Sequence, residues 1–139
     1  ALNAERRGED AFYREPYLLL EERLVTVARH REHELIFPAR MKQGDLLRRL
    51  GEFAAAERIY ADLADRYAQH PDAARAQLAL ADCLRAQAAR DASKYDSAAT
   101  VLERLRDLAS APADLRLEAG FKLGDLQAAR DARDGRARE

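Results

Sequence analysis

Apolar residues recur along this chain at intervals of three and four, the spacing that puts them on one side of an α-helix. Pro16 opens a stretch from Tyr17 to about Glu34 in which Leu20, Leu24, Val27 and Ala28 share a face, with the proline where a helix start tolerates it. Pro38 begins a second helix that runs to Leu50 and stops at Gly51, a residue suited to a left-handed C-terminal cap. A third helix, Phe53 to about Gln69, carries Phe53, Ala56, Ile59, Tyr60, Leu63 and Tyr67, and His70-Pro71-Asp72 ends it. Alanine-rich residues 73–89 form a fourth. Ser93 and Asp96 read as a capping box for a fifth, Lys94 to about Ala109, and Pro112 sets off a sixth, Ala113 to about Ala132. Residues 1–15 are more polar, are interrupted by Gly8, and hold at most a short helix near Ala11 to Arg14.

Composition strengthens the all-α reading. The 139 residues include 30 Ala, 21 Arg and 20 Leu, whereas Val, Ile and Thr together number seven, too few for an extensive sheet. Charged residues make up 35% of the chain and nearly cancel to a net charge of -1, so no domain-wide positive field exists to attract nucleic acid. The longest apolar runs, Tyr17 to Leu20 among them, are far short of a membrane span, so direct membrane insertion is not expected. One cysteine, Cys83, excludes an internal disulfide and a cysteine-based zinc cluster. A start without Met and the polar end 133–139 read as a piece cut from a longer protein.

Aligned with themselves, the helices repeat. Ala39-Arg-Met41-Lys-Gln-Gly44-Asp45, Ala76-Gln-Leu78-Ala-Leu-Ala81-Asp82 and Ala119-Gly-Phe121-Lys-Leu-Gly124-Asp125 match without gaps: an alanine, a large apolar residue, a small residue, then aspartate. The helices between them match as well, Phe53-x-x-Ala56-x-x-x-Tyr60 against Tyr95-x-x-Ala98-x-x-x-Leu102, and a proline follows each at Pro71 and Pro112.

A helix-turn-helix unit of this length, with small residues at the helix contact, an aromatic and Ala early in the second helix and a closing proline, resembles the tetratricopeptide repeat. The resemblance covers residues 37–132, as two units and the first helix of a third, and leaves 1–36 as an N-terminal cap or degenerate repeat. In the first unit Gly44, Leu47, Gly51, Phe53, Ala56, Tyr60 and Pro71 fall on the pattern, the proline displaced by about three residues. The bulky aromatic expected early in the first helix is replaced by Arg40 and Gln77. The ending Asp65-Arg66-Tyr67-x-x-His70-Pro71 is similar to units of bacterial proteins that assist outer-membrane assembly and Tol–Pal function, which points to the periplasm or cell envelope and leaves the cytoplasm open.

The resemblance implies a right-handed α-solenoid of antiparallel helix pairs, without catalysis or cofactor, whose first helices line a concave groove for a protein or peptide partner. Met41, Asp45 and Arg48, then Leu78, Asp82 and Arg85, then Phe121, Asp125 and Ala128 would face that groove. The Lys and Asn of carboxylate-clamping members are replaced here by Met41, Leu78 or Phe121 and by Asp, which argues against a clamp. For the aspartates, the competing reading is a row of solvated pairs within each helix, Asp45 with Arg48 and Asp82 with Arg85, each worth a few tenths of a kcal/mol. An alternative function is a structural spacer or self-association module, because Leu117, Leu123 and Leu126 would lack a covering helix.

Other chemistry is thin. His30-x-x-His33 with Glu34 puts two imidazoles on one helical side, yet Arg29 and Arg31 flank them and no further ligand completes a metal site. Cys83 reads as a small thiol at a packing seam, and the helix carrying Gly120-x-x-x-Gly124 is too charged for a membrane. There is no G-x-S-x-G, G-x-G-x-x-G or P-loop, and the carboxylates mostly alternate with arginines as on solvated helices.

Overall fold

The structure is a computed structural model that describes residues 34–138. The expected helix after Pro16, the short helix near Ala11 and the His30/His33 pair lie outside the described residues. Internal contacts separate Ala1–Pro38 from Ala39–Glu139. Of the first unit, residues 34–38 are described and are helical.

The described residues are helical and contain no strand: α1 (34–49), α2 (Phe53–Arg66), α3 (Ala73–Gln87), α4 (Ser93–Asp107) and α5 (Ala113–Arg138). The fold is therefore all-α. Pro38 stands within helical backbone rather than at its first position, since 34–37 are already helical. α1 ends as its glycine predicts. Gly51 takes φ +80°, its N–H bonds the Arg48 carbonyl at 3.0 Å and the Glu52 N–H reaches Leu47 at 2.9 Å, a paired closure that satisfies two orphan carbonyls.

The start of α4 differs from the capping box. Ser93 is the first helical residue, and its N–H and hydroxyl both donate to the Asp91 carboxylate, at 3.1 and 2.7 Å. Asp91 lies two residues ahead, where an aspartate closes a local turn and places its charge at the helix N-terminus. These bonds hold its carboxyl below the usual range. α5 is longer than predicted and includes 133–138 of the polar end. Its C-terminal part has partners: Arg130, just before the extension, pairs with Asp96 at 2.7 Å, while Arg133 within it donates to the Ala88 carbonyl and lies over the Tyr95 ring.

Consecutive helices pack together, and α3 also touches α5. Within the unit beginning at Ala39, α3 is central because it has two apolar faces. Ala79 and Cys83 join Ala56 and Tyr60 of α2, with Met41 and Leu47 of α1 packed alongside. Ala74, Leu78, Ala81 and Leu84 join Ala98, Leu102 and Leu105 of α4 and Ala119 and Leu126 of α5. Each fully buried leucine in this set contributes roughly 1.5–3 kcal/mol.

The repeat seen in the sequence has a packing counterpart. Ala56, Tyr60 and Leu63 on α2 are fully buried, as are Ala98, Leu102 and Leu105, at the same spacing, on α4. The small residue of each preceding helix faces this triplet. A methyl group built on Gly44 would stand 2.8 and 2.9 Å from Cε1 and Cζ of Tyr60. Ala81 shares its cluster with the shorter Leu102. A glycine against an aromatic and an alanine against a leucine fill similar space in two ways.

Candidate interaction site

Asp45, Arg48 and Asp82 are brought together by α1 and α3, and α5 adds a residue that the repeat alignment passed over, Lys122. The Asp82 carboxylate takes Lys122 Nζ at 2.8 Å on one side and Arg48 at 3.5 Å on the other. Arg48 also approaches Asp45 at 3.7 Å and sits over the Tyr60 ring. The Tyr60 hydroxyl donates to Asp45. Burial first, then this bond to a carboxylate, drives the Tyr60 pKa far above its normal value, so the phenol stays protonated.

This ladder corrects the expected pairing. The Asp45–Arg48 pair within α1 exists, but Asp82 pairs between helices instead of with Arg85. The reason is geometric: α3 lies between α1 and α5, so its half-exposed carboxylate meets two long cations from either side. Each such pair contributes about 0.2–1 kcal/mol. Lys122 had one faint signal, a cation at i, i+4 from Glu118, a pair that here is only 4.0 Å wide.

The apolar positions assigned to the groove have a different fate. Met41 is packed against the cluster of Tyr60 and Cys83, and Leu78 is 6% exposed inside the α3–α4–α5 core. These residues lie on the side of each first helix that receives the following helix. Phe121, at the same register on α5, is 69% exposed, and Leu117 one turn before it is 64% exposed. Arg85 and Asp125 are exposed. Of the three leucines expected to be uncovered, only Leu117 is: Leu126 is buried and Leu123 packs against the core, both facing back toward the preceding helices.

Leu117 and Phe121 line an open trough of about 460 Å³, together with Ala113, Gly120, Arg116 and Arg106. Arg116 donates to the Arg106 carbonyl at 3.0 Å, and Arg106 forks onto Asp107, so two guanidinium groups border the apolar floor. Cys83 is fully buried and its thiol is pushed up to about 11, chiefly by burial, with Asp82 adding to the effect and Arg48 opposing it. A protonated, inaccessible thiol is a poor nucleophile. Among the described residues no group of three His, Cys, Asp or Glu side chains could hold a metal ion. No described helix is long and apolar enough to cross a membrane.

No family, curated protein or solved structure matches this chain.

Proposed function

We propose that the chain is a non-catalytic protein–protein interaction scaffold, a right-handed solenoid of tetratricopeptide-like helix pairs that holds a partner segment on the side shared by α1, α3 and α5. The observation that carries this reading is the ladder Arg48–Asp82–Lys122, which ties three equivalent helices side by side through repeat positions one turn apart. Such a row gives a peptide one continuous surface instead of three separate ones. Arg85 and Asp125 stand exposed at the same repeat positions as Arg48 and Asp82 and supply charges that a partner can use.

Peptides selected from a random library for binding to the whole chain test this. The expectation is that they perturb backbone resonances of Asp45, Asp82 and Asp125, and that Arg85→Glu with Asp125→Arg weakens them about tenfold, or about 1.4 kcal/mol, with unchanged thermal stability. Binding that survives the double variant refutes the groove. The alternative, a spacer or self-association module, is supported by the exposure of Leu117 and Phe121. A mass in solution that rises with concentration would favour it.

A further inference from the structure

The two first helices whose partners are described each receive a second helix in the same way. On α1 the small residue Gly44 meets Tyr60 of the triplet Ala56/Tyr60/Leu63, and on α3 Ala81 shares a buried cluster with the triplet Ala98/Leu102/Leu105. The contacts of α1 with α2 run in opposite order along the two helices, Gly44 to Tyr60 and Arg40 to Asp62 at 3.6 Å, so that pair is antiparallel.

α5 has the same seat and nothing described sits in it. Ala74 and Leu78 of α3 are 7% and 6% exposed beneath α4, whereas their counterparts Leu117 and Phe121 are 64% and 69% exposed. A methyl group on Gly124 would meet nothing within 4 Å. The opposite side of α5 is already used, for Ala119 and Leu126 are buried as Ala76 and Cys83 are on α3. The open side is thus a pairing face, and the chain itself shows what covers such a face.

We propose that the α5 face from Leu117 through Phe121 to Gly124 receives an amphipathic helix of another protein that carries Ala, an aromatic residue four positions later and Leu three after that, with carboxylates in its closing turn. The aromatic follows from the small residue: at Gly44 the missing methyl admits a tyrosine ring, and α5 has glycine rather than alanine at that register. The carboxylates follow from charge. In α2 the stretch beyond Tyr60 carries Asp62 and Asp65, and Asp62 pairs with Arg40, one turn ahead of Gly44. A helix seated antiparallel on α5 would bring those positions over Gly120 toward Arg116, the cation bordering the trough beside Arg106, which is itself already forked onto Asp107. The inference rests on the geometry of the helix pair and is independent of the groove reading, because this face is distinct from the Arg48–Asp82–Lys122 side.

The probe is a helix-stapled synthetic peptide of the α2 sequence, Phe53–Arg66, titrated at millimolar concentration into the isotope-labelled full chain. Shifts confined to Ala113–Ala128 are expected, abolished by Phe121→Asp or by Gly124→Leu, and weakened at least fivefold when the peptide's Tyr60 is alanine. Gly124→Leu fills open space on an exposed side, so a helical spectrum and an unchanged melting temperature separate lost binding from lost folding. No shifts, shifts elsewhere, or binding indifferent to Gly124→Leu overturns the proposal. So does self-association of the unliganded chain through Phe121, which would make a second copy the occupant. Peptides that bind the Asp82 side and ignore Gly124→Leu leave the groove reading intact while refuting this one.

Discussion

Gly44 and Gly124 occupy the same register of the repeat and have opposite surroundings. Gly44 is buried against the edge of the Tyr60 ring, so its lack of a side chain is what lets α1 and α2 approach. In the chain by itself Gly124 faces open space and weakens α5, since glycine in a helix interior costs about 1 kcal/mol relative to alanine. The same letter in an aligned motif is thus a packing requirement in one pair and an unused vacancy in another. Whether a small residue matters depends on what is opposite it.

The largest test of this contrast removes the ring. Tyr60→Ala should lose about 3–5 kcal/mol, because it empties a fully buried site between α1, α2 and α3. Phe121→Ala should stay within about 0.5 kcal/mol, as expected for an exposed side chain, with urea unfolding as the measure for both. If the two cost the same, the face of α5 is covered in solution.

The glycines come next and should differ in sign. Gly44→Ala forces its methyl into the Tyr60 ring and should destabilise by about 1–3 kcal/mol. Gly124→Ala should stabilise by up to about 1 kcal/mol. The double variant Gly44→Ala with Tyr60→Leu copies the Ala81–Leu102 pair and should recover part of the loss.

A smaller effect tests the buried side of α3. The Cys83 thiol is raised from 9.0 to about 11, so an unfolded chain releases its proton first as pH rises. The stability owed to the protonated thiol is fully present below pH 9 and is lost as pH climbs through about 11. Cys83→Ala should flatten that part of the alkaline stability curve. A native thiol that reacts with a disulfide reagent as fast as the denatured one would contradict the burial.

Much of the helical layout was legible in the sequence. Gly51 announced its own cap, Pro71 and Pro112 separated helices, and Ala56 and Ala98 marked equivalent contact points, because these depend on backbone constraints and side-chain size. Ser93 misled, since Asp91 competes for the same N–H and lies closer along the turn. The candidate site was less legible. Helical periodicity places Met41, Leu78 and Phe121 on one side of their helices, but it cannot tell a groove from a seat for the next helix. Nor could it pair Asp82 with Arg48 and Lys122, which lie 34 and 40 residues away.

The sequence by itself determined that this chain is helical, where most of its described helices start and stop, and that one unit of pattern recurs. Local sterics and spacing suffice for that. Tertiary structure alone decided which of three equivalent residues is buried and which exposed, that Asp82 bridges two neighbours, and that α5 extends to Arg138 with Arg130 and Arg133 holding it to α4 and the end of α3. Those outcomes depend on what lies opposite each side chain in space. Repetition in a sequence copies the side chain and leaves its partner to the fold.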